Sequence, residues 1–338
     1  MNKKILVTGG LGYIGAHTAV EFIGANYEVV ILDDLSNTNE QVLEGIKAIT
    51  GVLPQFYNNN LCDAAFVKQL FTEHTFQGVI HFAAFKAVGE SVAQPLAYYE
   101  NNIVGLLEVL KNYQVGSFVF SSSCTVYGDA DVVPITEDTP MKPASSPYAH
   151  TKQIGEQVLQ STSQVNSNLN TIILRYFNPI GAHKSALIGE LPNGVPQNLV
   201  PFITQTAIGK REQLKVFGND YDTIDGTCIR DYIHVVDLAK AHVKALEFSF
   251  NDNQTTNHQV FNIGTGTGSS VLQVIQAFEK ATGEKLNYAF APRRAGDVTQ
   301  YCANTDKANQ VLGWKATHSL EEAMFSAWEW ELYLKKSN

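Results

Sequence analysis

Tyr148 and Lys152 form the residue pair with the clearest chemical meaning in this sequence. On a helix, a separation of four residues places both side chains on one face. A phenol, with an ordinary pKa of about 10, is a poor base at neutral pH, but a nearby ammonium group stabilises the phenolate and lowers that pKa. The pair therefore predicts a general base made from a weak acid.

Serines 121 to 123 open the stretch SSSCTVYG, at the end of an apolar, strand-like segment. In parallel α/β sheets, ligands bind at the carboxyl ends of the strands. A hydroxyl at that edge can bind the substrate oxygen that Tyr148 deprotonates. We expect this functional arrangement rather than the alternative of a capping serine run and a surface tyrosine.

Gly9, Gly12 and Gly15 have the spacing GxxGxxG between the first predicted strand and the first predicted helix. Glycines there let the backbone approach a pyrophosphate, and the helix N-terminus offers free N–H groups to it. Asp33, at the end of the second strand, can accept both hydroxyls of an adenine ribose. No arginine lies between Asp33 and Asn39 to bind a 2′-phosphate, which favours NAD over NADP. The alternatives are a plain glycine turn and a solvated strand end.

Short apolar segments alternate with helical periodicity through the first half of the chain. This alternation predicts an α/β fold, a Rossmann-like doubly wound parallel sheet. The predicted strands are Lys4–Thr8, 28–32, 78–82, 117–121 and 171–176, and the predicted helices are 14–25, 64–71, 96–112 and 148–161.

The second half is less regular, with helical segments at 200–209, 235–248, 271–282 and 320–335. We interpret it as a smaller, mixed C-terminal domain that binds substrate. The predicted boundary separates residues 1–177 from 178–338, with short segments near 233–236 and 260–263 returning to the first domain.

The chain has 338 residues and 33 acidic against 24 basic side chains, a net charge of −9. This balance argues against binding to nucleic acid or to an anionic membrane surface. No apolar run approaches the roughly 20 residues that span a bilayer. The N-terminal apolar stretch is too short for a signal peptide, so we expect a cytoplasmic protein. The four cysteines are not clustered, and no metal site is predicted.

Several motifs together resemble the extended short-chain dehydrogenase/reductase family over essentially the whole chain. They are TGGLGYIG (8–15), HFAAFKAVGES (81–91), SSSCTVYG (121–128), the Tyr148 and Lys152 pair, and the stretches 175–181, 226–235 and 292–298. Within that family, the sequence is similar to the nucleotide-sugar 4-epimerase branch. The resemblance implies an NAD-dependent isomerase of galactose metabolism. Its reaction would interconvert UDP-glucose and UDP-galactose at C4, through a transient 4-keto sugar and NADH.

The resemblance also implies roles at the cofactor site. Ser123 would hold the sugar O4, Tyr148 would be the base, and Lys152 would hold the nicotinamide ribose and lower the pKa of Tyr148. The implied cofactor contacts are Gly9, Gly12, Tyr13, Ile14, Gly15, Asp33, Asp34, Leu35, Ser36, Asn37, Thr38, Asn60, Leu61, Phe82, Ala83, Ala84, Lys86, Asn101, Ser123, Tyr148, Lys152 and Phe177.

Substrate contacts are implied mainly in the second half, together with Ser123 and Tyr148. Arginines would neutralise the diphosphate, a task suited to guanidinium. The implied contacts are Asn178, Asn198 and Leu199 near the diphosphate, Arg230 and Arg294 on the phosphates, Lys215, Val216 and Phe217 beside uracil, Asp297 on the uridine ribose, and Tyr301 at the sugar C2.

Three positions qualify this resemblance. The family usually has Asp where this chain has Asn60, whose carbonyl can still accept a hydrogen bond from adenine. The family often has Gly-Lys or Gly-Ser after the catalytic tyrosine, where this chain has Ala149 and His150. We assign His150 no chemistry. Tyr301, at the sugar C2, predicts that the substrates are restricted to hexoses without an N-acetyl group, because relatives that accept N-acetylhexosamines carry a small residue at this position. A register shift of one residue would instead place Cys302 at this gate.

Three other functions are alternatives to C4 epimerisation of UDP-hexoses. A nucleotide-sugar 4,6-dehydratase would need carboxylates where this chain has Cys124 and Thr125. A UDP-pentose or UDP-uronate 4-epimerase stays open. An NAD-binding redox-sensing regulator would have no need of the serine, tyrosine and lysine together. The resemblance also implies a homodimer, formed through helices near 96–112 and 148–163.

Overall fold

The structure is a computed structural model that describes residues 3–192, 194–251, 256–294 and 297–337. Its strands are β1 Lys4–Thr8, β2 Glu28–Asp33, β3 Gln55–Asn58, β4 Gly78–His81, β5 Gly116–Ser123, β6 Leu169–Tyr176, β7 Asn178–Ile180, β8 Leu214–Phe217, β9 Ile229–His234, β10 His258–Ile263, β11 Gly268–Ser270, β12 Tyr288–Ala291 and β13 Gln300–Tyr301. Its helices are α1 Tyr13–Gly24, α2 Gln41–Thr50, α3 Ala64–Glu73, α4 Val88–Ala93, α5 Pro95–Tyr99, α6 Gly105–Asn112, α7 Pro147–Val165, α8 Leu199–Ala207, α9 Val235–Ser249, α10 Val271–Thr282, α11 Asp306–Val311 and α12 Leu320–Ser337.

Seven strands form one parallel sheet in the order β10-β6-β5-β4-β1-β2-β3. The chain starts in the centre, runs outward through β2 and β3, and then crosses to β4 on the other side of β1. All carboxyl ends therefore lie along one edge, and the order reverses between β1 and β4, where such sheets bind ligands. The predicted doubly wound fold is confirmed.

Helices cover both faces of this sheet, which explains why its inner strands are continuously apolar. On one face, α1, α2 and α9 pack through residues such as Phe22, Ile46 and Leu246. On the other face, α3, α6 and α7 pack through residues such as Leu70 and Leu159. These two layers hold the strand ends, and with them the predicted site, in fixed positions.

The second half builds smaller, mixed sheets beside the carboxyl edge. Strand β9 pairs with β7, β11 and β13, while β8 pairs with β12, and α8, α10 and α12 pack around them. The segment 260–263 lies in β10 and extends the large sheet by pairing with β6. The segment 233–236 spans the end of β9 and the start of α9, which packs on α1.

The chain is helical over the whole predicted range 96–112, but not as one regular α-helix. The chain there forms α5, a π-helical turn at Glu100–Val104, and then α6. Within the turn, Asn102 faces inward. Its Oδ1 accepts from the Phe85 amide at 2.8 Å, and its Nδ2 donates to the Thr151 hydroxyl at 3.0 Å. This buried amide ties the loop after β4 to α7, a typical use of a π-bulge.

Candidate active site

The glycine-rich turn after β1 leaves no room for side chains. Gly9 has φ +66°, and a Cβ there would lie 2.7 Å from the Ala83 nitrogen. A Cβ on Gly15 would collide with the Gly9 carbonyl oxygen. No side chain caps α1, which begins at Tyr13 after Gly12. The turn therefore presents bare backbone and a helix N-terminus, the arrangement that binds pyrophosphate groups.

Asp33 lies beside this turn at the end of β2. Its two carboxylate oxygens accept from the amides of Leu11 and Leu35, each at 3.0 Å. Burial raises the pKa of Asp33, and these backbone N–H groups oppose that rise. Thr38 donates to the Leu11 carbonyl at 2.8 Å, which closes the same corner. Asp33 therefore holds the turn in place, and its remaining lone pairs can accept hydroxyl groups.

Asn60 forms two side-chain hydrogen bonds close to the end of β2. Its Nδ2 donates to Asp34 Oδ2 at 2.8 Å, and its Oδ1 accepts from the Cys62 amide at 2.8 Å. A carboxylate at position 60 would face Asp34 as a like charge, so an amide suits this chain. Leu61 is buried beside Gly105, whose added Cβ would lie 3.0 Å from it.

Ser123 ends β5 and meets Tyr148 near the start of α7. Ser123 Oγ accepts from Thr125 twice, from its amide at 3.3 Å and from its hydroxyl at 3.1 Å. With both lone pairs occupied, the Ser123 proton is free to point at the phenol, and its hydrogen bond lowers the pKa of Tyr148. Sequence analysis did not single out Thr125 for this role.

Lys152 completes the group from one turn further along α7. Its Nζ donates to the Ser121 carbonyl at 2.7 Å and lies 5.9 Å from the Tyr148 ring centroid. Burial lowers the pKa of Lys152 to about 8. Burial also raises the pKa of Tyr148 to about 12, so the ammonium does not by itself produce the lowered pKa that the pair suggests. The structure brings Ser123, Tyr148 and Lys152 together at the carboxyl end of β5.

The loop after β4 and the turn after β6 border the same edge. Phe82 packs on the His242 ring at 4.7 Å, followed by Ala83 and Ala84 at the glycine turn. Phe177 is buried after β6. The Asn101 amide donates to Asn102 Oδ1 at 3.0 Å. The exposed His150 is bonded to the Tyr99 hydroxyl at 2.8 Å and lies outside this group.

Charged residues cluster around β8 and β9 in the second half. Arg294 Nε donates to Asp297 Oδ2 at 2.9 Å, and Arg230 approaches the same carboxylate at 3.6 Å. The Arg294 guanidinium lies 5.0 Å from the ring centroid of Phe217, whose neighbours on β8 are the buried Val216 and the exposed Lys215. Residues 295 and 296 of this motif lie outside the described residues.

Glu190 binds one side chain predicted to contact the cofactor and one predicted to contact the substrate, although sequence analysis did not single it out. Its carboxylate accepts from Asn198 Nδ2 at 2.7 Å and from Lys86 Nζ at 3.4 Å. Asn198 directly precedes α8, which starts at Leu199, while Lys86 follows β4. No spacing signal pointed to Glu190, because its partners come from distant parts of the chain.

Tyr301, 6% exposed, is held at the catalytic end of β5. Its hydroxyl lies 2.8 Å from the Cys124 carbonyl and 2.7 Å from the Gly128 carbonyl. Its ring centroid is 5.8 Å from that of Phe177. Cys302 Sγ instead lies 3.9 Å from Asp231, away from these contacts. Tyr301, and not Cys302, therefore contacts the segment that directly follows Ser123.

The described ranges contain neither a membrane-spanning helix nor a cluster of metal-ligating side chains. None of the helices described there is long and apolar enough to cross a bilayer. The same residues contain no group of three or more His, Cys, Asp and Glu side chains that could hold a metal ion.

Fold and site together define an extended short-chain dehydrogenase/reductase: a glycine-rich turn, an acid after β2, and a Ser-Tyr-Lys group on one sheet edge. The sequence model described as GDP-mannose 4,6 dehydratase matches residues 6–326. The chain belongs to that broad family and, within it, to the UDP-glucose 4-epimerases, as the relatives below show.

UDP-glucose 4-epimerase from Bacillus subtilis is 51% identical over 330 residues, which cover 97% of this chain and 96% of that protein. The Haemophilus influenzae enzyme of the same name is 49% identical over 330 residues, 97% of each chain. A solved Stenotrophomonas maltophila UDP-glucose-4-epimerase, with bound NAD and formylated UDP-arabinopyranose, matches with a TM-score of 0.96, 44% identity and full coverage of both chains. The Bifidobacterium longum enzyme, in complex with NAD+ and UDP, matches with a TM-score of 0.93 and 42% identity, covering 99% of this chain and 100% of that one.

Proposed function

We propose that this protein is an NAD-dependent isomerase that interconverts UDP-glucose and UDP-galactose by inverting C4 of the hexose. The observation that carries the proposal is the group of Ser123, Tyr148 and Lys152 at the sheet edge where the glycine-rich turn lies, in which Lys152 Nζ donates to the Ser121 carbonyl at 2.7 Å and lies 5.9 Å from the Tyr148 ring centroid. Relatives named UDP-glucose 4-epimerase match nearly the whole chain, which supports it.

The residues present fit NAD. Gly9 and Gly15 leave the space that a Cβ would fill, and Asp33 offers a carboxylate beside it. We propose that the α1 N-terminus holds the pyrophosphate and that Asp33 holds the adenine ribose. When bound there, NAD would supply a reversible hydride acceptor for C4 of the sugar, so that the overall reaction would involve no net oxidation.

The chain's own catalytic residues move one proton. Ser123 holds the sugar O4 next to the Tyr148 hydroxyl, and Tyr148 takes the O4 proton and later gives it back. Lys152 is a cation within one helical turn of the phenol and stabilises the phenolate form. Burial raises the phenol pKa, and a positively charged nicotinamide ring nearby would help Lys152 to lower it.

Inversion requires the nucleotide to be held firmly and the hexose loosely. Arg230 and Arg294 offer guanidinium groups for the diphosphate, and Asp297 keeps both arginines at the same place. Binding energy on the nonreacting nucleotide then positions the reacting carbon. A sugar tethered through its diphosphate can turn and present its other face.

The deciding experiment is incubation of the protein with UDP-galactose. We expect UDP-glucose to form without net accumulation of NADH. Loss of water from the sugar would instead indicate a dehydratase, and NAD binding without turnover would indicate a regulator. A UDP-pentose is the second candidate substrate, because the matched Stenotrophomonas maltophila structure holds formylated UDP-arabinopyranose.

Replacing Asp33 by Ala should weaken NAD binding roughly tenfold or more, since hydrogen bonds to a charged group contribute about 1.5–3 kcal/mol. It should also reduce discrimination against NADP, because the acid repels a 2′-phosphate. Fluorescence titration with both cofactors measures this. Asp33→Asn is an intermediate variant: its single carbonyl oxygen can accept from only one of the two turn amides, and it carries no charge, so it should lose the discrimination and part of the NAD affinity. Unchanged NAD affinity and preference in Asp33→Ala would remove Asp33 from the ribose site.

We also propose a homodimer formed through the helices near 96–112 and 148–163. Apolar side chains are exposed on both, with Leu96 at 81% on the first and Val165 at 87% at the end of the second. Leu96→Glu should convert the dimer to a monomer in sedimentation measurements. Leu53→Glu, a change at another exposed leucine, should leave the dimer intact. A wild-type monomer at micromolar concentration would refute the proposal.

Three further expectations complete the proposal. We propose that residues 1–177 bind NAD and residues 178–338 bind the nucleotide sugar, with returns near 233–236 and 260–263. The net charge of −9 supports the prediction that the protein does not bind nucleic acid. A cytoplasmic location stays a prediction from sequence.

A further inference from the structure

Glu156 continues the row of catalytic side chains on α7. It follows Lys152 by four residues, as Lys152 follows Tyr148, so that all three project from one helix face. This face lies against residues 121–123 at the end of β5. The hydroxyl of the third serine acts on Tyr148, whose pKa it lowers, and Lys152 Nζ donates to the carbonyl of the first.

The middle serine is held by Glu156. Ser122 Oγ donates to Glu156 Oε1, and both residues are buried. Three consecutive serines are thus each bound by a different member of one helix row. Strand β5 cannot slide or tilt against α7 without breaking one of these contacts.

Arg175 fixes the Glu156 carboxylate from the next strand. It lies directly opposite Ser122 in the register of β5 and β6. Its Nε donates to Glu156 Oε1 at 3.0 Å and its second guanidinium nitrogen donates to Oε2 at 2.6 Å, with side-chain exposures of 5% and 6%. A bidentate pair of this kind sets the orientation of the carboxylate as well as its position.

A second hydrogen-bonded group anchors the arginine. Arg175 also donates to the Tyr127 hydroxyl at 2.9 Å, which in turn donates to Asn262 on β10 at 2.6 Å. Buried ion pairs are a weak source of stability compared with apolar packing of the same volume. Their geometric specificity is therefore the property that this pair supplies beside the catalytic serine.

We propose that Glu156, clamped by Arg175, is a positioning residue that fixes the end of β5 against α7 and so holds Ser123 in contact with Tyr148. The Glu156 carboxylate is hydrogen-bonded to Ser122 and Arg175, so its proposed action on the reaction passes through these residues. The inference rests on the proposed function, because the contact it maintains is the one that handles the O4 proton.

Glu156 also acts on Lys152 through its charge. Burial lowers the pKa of Lys152 to about 8, and the Glu156 carboxylate opposes that lowering. Activity that needs the ammonium is therefore lost as pH rises through about 8. Removing the negative charge should move this alkaline limb to lower pH. The ionisable groups that interact with Lys152 are Tyr148 and Glu156 on α7 and His81 on β4, while Arg175 on β6 binds the Glu156 carboxylate.

The test compares Glu156→Gln with Ser122→Ala and with Glu331→Gln. Glu331 is a matched control, a buried carboxylate that binds Lys210 at 2.7 Å and the Thr204 hydroxyl at 3.3 Å on the other side of the molecule. For Glu156→Gln we expect kcat to fall about tenfold or more with little change in KM, since small misplacements of reacting groups are costly. The alkaline limb should move to lower pH. Ser122→Ala should lower kcat without moving that limb, and Glu331→Gln should retain the wild-type kcat.

Wild-type kcat and an unmoved alkaline limb in Glu156→Gln would overturn the proposal, as would a kcat loss equal to that of Glu331→Gln. If Glu156→Gln does not fold, Ser122→Ala decides, and wild-type kcat there overturns it. A crystal structure of the folded variant gives a readout independent of activity. We expect Ser123 Oγ to leave hydrogen-bond distance of the Tyr148 hydroxyl, whereas an unchanged contact contradicts the proposal. An inactive wild-type protein would refute the proposed function, and this distance would still test the positioning role.

Discussion

Tyr148→Phe is expected to lower the rate of UDP-galactose epimerisation by about two or more orders of magnitude, the usual contribution of a general base. The change removes the hydroxyl beside Ser123 and keeps the half-buried ring, so folding and NAD binding should persist. Stopped or coupled assays of UDP-glucose formation measure the rate, and a cofactor titration measures NAD affinity.

Tyr113→Phe is the matched control for this loss. Tyr113 is a buried tyrosine, and its hydroxyl accepts from the Ser117 amide at 2.9 Å at the amino end of β5. Losing that hydroxyl should cost stability but leave turnover intact. Near-normal turnover in Tyr148→Phe, or an equal loss in both variants, would remove Tyr148 from the role of base.

Tyr301→Cys is expected to open activity on UDP-N-acetylglucosamine by about one to two orders of magnitude, while activity on UDP-galactose changes little. An acetamido group at C2 needs space that the phenol ring fills, and overpacking of this kind costs about 1–3 kcal/mol. The ring cannot easily turn away, because the Cys124 and Gly128 carbonyls hold its hydroxyl and Phe177 lies beside it. The wild-type protein should therefore act poorly on the N-acetylated sugar.

Two further variants test whether the size of the ring at position 301 is what excludes the N-acetylated sugar. Tyr301→Phe removes the hydroxyl contacts but keeps the ring, so it should remain closed to the larger sugar. Cys302→Ala changes the neighbouring side chain, which faces Asp231, and should also leave the specificity unchanged. Comparable wild-type rates on both sugars, measured by separating the products, would show that position 301 does not control access.

The central strands of the sheet could be predicted because they are apolar throughout, as strands buried on both faces must be. β1 was predicted over its full extent, and the cores of β2, β4, β5 and β6 were also correct. β3, β8 and β12 were missed. Each has four residues, and part of each is exposed, so none carries a clear apolar run.

The catalytic trio could be predicted because Tyr148 and Lys152 share one helix and Ser123 ends a recognisable strand. The residues around it could not. Glu156 meets Ser122 across 34 residues and Arg175 across 19, and only the packing of α7 on two strands brings them together. From a sequence alone, a charged residue one turn beyond a catalytic lysine is predicted to lie on the exposed face of the helix.

The return of the chain through β10 has a consequence for how the protein is made. Residues 258–263 cover the outer edge of β6, so the nucleotide-binding sheet receives its last strand only after most of the chain has left the ribosome. Until then β6 presents unpaired amides and carbonyls, a template for aggregation. A nascent chain that stalls near residue 177 is therefore an expected client of chaperones. The two halves should mature as one cooperative unit rather than in succession.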